Sequence, residues 1–137
     1  MRQYIGTKFI LAEPRKNLNH PLDMEPEDGY KIFYPDGYAS WCPKKAFEEA
    51  YRPTDGMNFG LAIEAMKKGK KVARLGWNGK GIHLELQVPD EHSKMTLPYI
   101  YIVTTGLIST NPHAPKGCVP WLASQTDMLA DDWYIVE

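Results

Sequence analysis

A chain of 137 residues with a formal net charge of −1 is long enough for one compact domain, or one domain with a small appendage, and too short for two independent cores. The near-neutral balance excludes a general nucleic-acid coat, and two distant cysteines, Cys42 and Cys118, exclude a disulfide framework or a zinc ribbon. With no signal-like start and no apolar run near the ~20 residues of a membrane span, a soluble protein of a reducing cytoplasm is expected.

Tyr4 to Ala12 reads as a strand ending at Pro14, and the polar, proline-bearing stretch Arg15 to Gly29 as a surface loop. Tyr30 to Trp41 holds two aromatic-rich strands around Pro35-Asp36-Gly37, a type I turn whose glycine can form a bulge. Pro43 can open a helix at its first position, with Ala46, Phe47, Ala50 and Tyr51 on one face, until Arg52-Pro53 breaks it. About 50 residues seldom stabilise a core alone, so this strand, hairpin and helix unit is expected to dock on the rest, through a linker at Thr54-Asp55-Gly56.

Asn58 is a suitable N-cap, and Phe59, Ala62, Ile63 and Met66 recur at the spacing of one apolar helix stripe. Lys67 and Lys68 suit the negative end of the helix dipole, and Gly69 suits the left-handed residue after it. Val72 to Leu75 then reads as a short strand and Ile82 to Val88 as a longer one, with Ile82, Leu84, Leu86 and Val88 on one face. Between them, Gly76-Trp77-Asn78-Gly79-Lys80-Gly81 offers positive φ and close backbone approach together with an aromatic plate and a cation. Pro89 to Lys94 is a charged loop, Tyr99 to Thr105 a central strand, Gly106 to Gly117 an ordered loop or hairpin tip, and Cys118-Val119 extended again. Ser124 with Asp127 forms a capping box ahead of a short helix through Met128, Leu129 and Ala130, and Trp133 to Val136 closes the chain as a strand. Short hairpin connections imply an α+β fold with a mainly antiparallel sheet.

No phosphate-binding loop, metalloprotease helix, nucleophile elbow or paired-cysteine metal motif occurs. His20, His83, His92 and His113 lack metal-ligand spacing; His83 alone lies near the glycine turn. Trp77 reads either as an edge-strand aromatic filling the core or as a stacking plate. Lys70, Lys71, Arg74 and Lys80 either solvate an exposed face or clamp a phosphate. Asp127 is accounted for by capping, and Asp131 and Asp132 by a turn; as ligand groups they would accept from ribose hydroxyls or an adenine amine. Trp121 and Trp133 read as core anchors, either of which could be a second stacking wall. A nucleotide hydrolase would need those aspartates to hold a metal, and a nucleic-acid-binding accessory protein would rest on the lysine run alone.

MNFGLAIEAMKKGKKVARLGWNGKG together with VPWLASQTDMLADDWYIV resembles the second Thoeris anti-defence protein family of bacteriophages. The resemblance covers 57–137, with 1–53 as an N-terminal extension in which Cys42 stands where similar phage sequences commonly carry Ser. It implies a non-enzymatic sponge, without cofactor or metal, that binds the cyclic ADP-ribose isomer of Thoeris defence and in some members cyclic dinucleotides, serving immune evasion in the bacterial host cytoplasm. It also implies a homotetramer with pockets at subunit interfaces and no nucleic-acid or membrane partner. The ligand-binding residues expected are Arg74, Trp77, Asn78, Gly79, Lys80, Gly81, Trp121, Ser124 and Asp127, with no catalytic residue. The loop Gly106 to Gly117 exceeds the short turn of compact members and bears on pocket shape.

Overall fold

The computed structural model describes residues 1–19, 21–22 and 24–137, so His20 lies outside the described residues. The chain divides into two compact units, Met1–Arg52 and Pro53–Glu137.

In the first unit, β1 (Leu11–Pro14), β2 (Gly29–Phe33) and β3 (Ala39–Pro43) form an antiparallel sheet in that order, followed by helix α1 (Lys44–Ala50). The hairpin turns where Pro35-Asp36-Gly37 allow it: Tyr34 N–H donates to Tyr38 O, and Gly37 adopts φ 90°. The strand expected over Tyr4 to Ala12 is corrected to Leu11–Pro14, because Leu11 pairs with Phe33, the last residue of β2 before its chain turns away. Pro14 is tolerated because β1 is an edge strand.

Helix α1 begins after Pro43, which is its N-cap rather than its first residue. Its apolar face is narrower than the spacing suggests, since Ala46 and Ala50 are exposed and Phe47 carries the contact, stacking on Tyr30 at 4.0 Å and on Tyr51 at 4.9 Å between ring centroids. Trp41 lies so close over Gly29 that a Cβ there would come within 2.3 Å of its ring. That position is confined to glycine by packing rather than by φ.

The second unit is a five-stranded sheet in the order β7-β6-β5-β4-β8, every pairing antiparallel. Its elements are α2 (Phe59–Lys67), β4 (Lys71–Arg74), β5 (His83–Gln87), β6 (Tyr99–Val103), β7 (Cys118–Pro120), α3 (Gln125–Met128) and β8 (Trp133–Val136). The α+β class with a mainly antiparallel sheet therefore holds.

Register places Val72, Leu84, Ile102 and Ile135 in one row across four strands on one face. Against that face α2 buries Ala62, Ala65 and Met66, and Val72, Leu84 and Trp133 are fully enclosed. Asn58 caps α2 by accepting from Leu61 N–H at 2.9 Å, and Gly69 takes φ 84° just past its end.

Four expectations need correction. Thr54-Asp55-Gly56 is not a free linker: Ile135 N–H donates to Thr54 O, and Met57 bridges Trp133, so the segment runs beside β8. Tyr99–Val103 is one place in from the edge, and β5 holds the centre of the sheet. The strands read as Val72 to Leu75 and Ile82 to Val88 are Lys71–Arg74 and His83–Gln87, because Leu75 N–H already turns to Asp132 O. Helix α3 stops at Met128, with Leu129 as its C-cap.

Candidate functional site

The last residue of β4, Arg74, points its guanidinium at two carboxylates brought from far along the chain. Nη1 lies 2.8 Å from Asp127 Oδ1 and Nε 2.8 Å from Asp132 Oδ1, and the Arg74 side chain is only 13% exposed. Asp127 is placed by the capping box of α3, in which Ser124 Oγ donates to Asp127 Oδ2 at 2.8 Å and accepts from Asp127 N–H at 3.0 Å. Trp77 Nε1 donates to Asp127 Oδ1 at 3.0 Å, and Trp133 Nε1 to the Asp127 carbonyl at 2.9 Å.

A carboxylate offers about four acceptor positions. Asp127 uses them on Arg74, Trp77, and the N–H and hydroxyl of Ser124. Partial burial alone would raise its pKa, but hydrogen bonds from Trp77, Arg74 and Ser124 together outweigh that and hold it at about 2. Arg74 holds Asp132 low in the same way, and the two carboxylates raise Arg74 in return. Two anions and one cation leave this knot a net charge of −1, so it favours hydrogen-bond donors over phosphate.

Around the knot stand four rings. Trp133 is fully buried, with Phe59 at 5.1 Å, Trp77 at 5.4 Å and Trp121 at 6.0 Å from it between centroids. Trp77 and Trp121 are half-buried and 6.2 Å apart at an interplanar angle of 60°, which leaves an aromatic corner part-open to solvent. The indole N–H bond to Asp127 fixes the Trp77 side of this corner.

The glycine turn proves to be packed against protein. A Cβ on Gly76 would come within 2.7 Å of Asp132 Oδ2, and one on Gly79 within 3.3 Å of Ile82. Gly81, at φ 83°, faces Gly106, whose carbonyl oxygen would lie 2.0 Å from a Cβ at 81. Lys80 Nζ donates to Leu75 O at 2.8 Å, and Asn78 is exposed.

Of the expected residues, Arg74, Trp77, Trp121, Ser124 and Asp127 converge, while Asn78, Gly79, Lys80 and Gly81 form the turn that follows them. Arg74 acts here by position, since its charge is engaged by Asp127 and Asp132. His83 pairs with Glu85 at 2.8 Å on the strand face opposite Leu84. Asp132 and Phe59 belong to the site's frame, and sequence reasoning assigned them to a turn and to a helix face. Phe59 is brought there by its place at the start of α2, beside the Met57–Trp133 bridge, which no local sequence pattern signals. Among the described residues no group of three His, Cys, Asp or Glu is arranged to hold a metal, and no helix is long and apolar enough to cross a membrane.

A family model for the Thoeris anti-defense 2-like domain matches residues 57–136. The chain is also similar to Thoeris anti-defense 2 of Bacillus phage SP01, with 39% identity over 84 residues covering 58% of this chain and 94% of that protein. Arg74, Trp77, Trp121, Asp127 and Asp132 all lie inside the matched span, and the first unit lies outside it.

Proposed function

Because the chain belongs to the Thoeris anti-defense 2-like family, we propose that it is a phage anti-defence protein that binds a cyclic nucleotide immune signal and holds it unchanged. The signal is a cyclic ADP-ribose isomer, with cyclic dinucleotides as further ligands, and binding takes place in the bacterial host cytoplasm. Residues 57–137 are the nucleotide-binding domain and 1–53 an extension to it.

The observation that carries this reading is the corner made by Trp77 and Trp121, fixed by the indole bond to Asp127. A purine stacks on such rings without regard to net charge, and each plate contributes about 1–3 kcal/mol in comparable single-stranded nucleic-acid sites. Exposed Asn78 and the Lys80 cation are the groups nearest in sequence that can meet polar and phosphate atoms.

The way the acids are used supports sequestration rather than turnover. Bond cleavage needs a positioned nucleophile, a proton shuttle or metal-activated water, whereas Asp127 and Asp132 are engaged by Arg74 and Asp127 is saturated with donors. Leu75, Leu122 and Leu129, which flank the knot in sequence and are 56%, 90% and 78% exposed, suit a subunit interface. The assembly we propose is a homotetramer with ligand pockets between subunits, and light scattering at micromolar concentration should return a mass four times that of the chain.

The test is to incubate a cyclic ADP-ribose isomer with equimolar protein, filter, heat and chromatograph. Intact ligand absent from the unheated filtrate and recovered on heating is the expected result. A product that grows with time, above all with magnesium, would make the protein an enzyme and Asp127, Asp131 and Asp132 the residues to replace. Trp77→Ala should weaken binding by about 1–3 kcal/mol with the fold retained; survival of full affinity would return Trp77 to the core.

A further inference from the structure

The turn 76–81 is held by a second loop. Ile108 N–H donates to Lys80 O at 2.9 Å, and Lys80 and Ile108 form an isolated antiparallel bridge. One residue after Lys80 and two before Ile108, Gly81 and Gly106 meet backbone to backbone: a Cβ on Gly106 would come within 2.8 Å of Gly81 O. Gly106 has no positive φ to explain it, so the close approach is what confines position 106 to glycine. Leu107 adds a side chain 3.5 Å from where a Cβ on Gly79 would stand.

The second loop is itself anchored at both ends. Leu107 N–H donates to Thr104 O at 3.0 Å, and Thr104 and Gly117 exchange backbone and hydroxyl hydrogen bonds at 2.8 to 3.1 Å. The base of the loop is therefore fixed to β6 and β7, and through Gly106 and Ile108 it sets a wall behind residues 79–81. On its other side the turn is tied by Trp77 N–H to Arg74 O and by the Trp77 indole to Asp127. A turn clamped on both sides cannot shift at Lys80 without disturbing Trp77.

We infer that Gly106 and Ile108 are positioning residues for the aromatic corner, setting where Trp77 and Lys80 stand and so the affinity for a nucleotide. The inference rests on the reading that the corner binds nucleotides, and its experiment separates the two. Gly106→Ala places a methyl group against Gly81 O and should open the clamp; Gly117→Ala, in the same loop with nothing within 4 Å of the new Cβ, is the control. Both variants and the wild type are titrated by calorimetry with a cyclic ADP-ribose isomer and with 3′,3′-cyclic di-GMP. Indole and amide resonances of Trp77, Lys80 and Gly81 are followed in parallel.

In Gly106→Ala those resonances should move and affinity for whichever probe binds should fall about tenfold, with Gly117→Ala unchanged in both. Unmoved resonances, or full affinity despite moved ones, would overturn the inference. If Gly106→Ala fails to fold, Ile108→Pro, which removes the N–H bonded to Lys80 O, takes its place with the same outcomes. If the wild type binds neither probe, the proposed function fails and the resonances alone decide the positioning role.

Discussion

The two units of this chain are held together by different means. Among the described residues, Ile32 is the buried apolar side chain of 1–52, against Met57, Ala62, Ala65, Met66, Val72, Ala73, Leu84, Val103 and Trp133 in 53–137. The first unit relies on rings stacked between a sheet and a seven-residue helix with no buried residue. The second lays a nine-residue helix on a five-stranded sheet and encloses a tryptophan. Rings stay where they are put when a packed interior stands behind them, and among the described residues that interior is in the second unit.

The packed interior of the second unit is most exposed to a single change at Trp133. Trp133→Ala removes the largest enclosed side chain and the donor to Asp127 O, and should cost about 3–5 kcal/mol. Urea unfolding followed by resonances of 53–137 measures it; a loss below 1 kcal/mol would mean the second unit is not core-held.

Next is Arg74→Met, which leaves Asp127 and Asp132 facing each other without their cation. Both are partly shielded, so the cost should be about 2–3 kcal/mol at pH 7, with the Asp127 carboxyl rising from about 2. Carboxyl chemical shifts against pH would show the rise, and an unmoved Asp127 would assign its low value to Trp77 and Ser124 alone.

The same knot makes the second unit acid-sensitive. Asp127 is depressed from 3.8 to about 2, so its contribution, about 2 kcal/mol, is fully present above pH ~4 and is lost as pH falls through 2. Asp127→Asn should flatten that part of the stability curve. An equally steep acid limb in the variant would place the sensitivity elsewhere.

The smallest effect is expected in the first unit. Phe47→Ala deletes both ring stacks of α1 and should cost about 1 kcal/mol beyond the area lost, leaving the resonances of Trp77 and Trp133 in place. Large changes there would show that the two units stand or fall together.

Local features were legible because near neighbours decide them. Asn58 before an apolar stripe, Gly69 after it, Pro35-Asp36-Gly37 between aromatic runs and Ser124 three residues before Asp127 each specify a cap or a turn through bonds to residues no more than four away. Period-two alternation likewise marked β5, and short connections marked an antiparallel sheet. The strand over Tyr4 to Ala12 was misread because a β pattern says nothing of where its partner ends, and the partner ends at Phe33.

The helices, the hairpin, the antiparallel character of the sheet and the residue types from which a corner could be made were all readable along the chain. Tertiary structure decided what those residues do. Arg74 reads as a free cation until Asp127, 53 residues away, and Asp132, 58 away, are folded onto it. The glycines of 76–81 read as backbone open to close approach until Asp132 and Gly106 are found against them. No local rule could have supplied this, because the energy of a charge or a bare backbone depends on what stands within a few ångströms of it. For these residues, that neighbourhood is assembled from segments 25 to 58 positions apart.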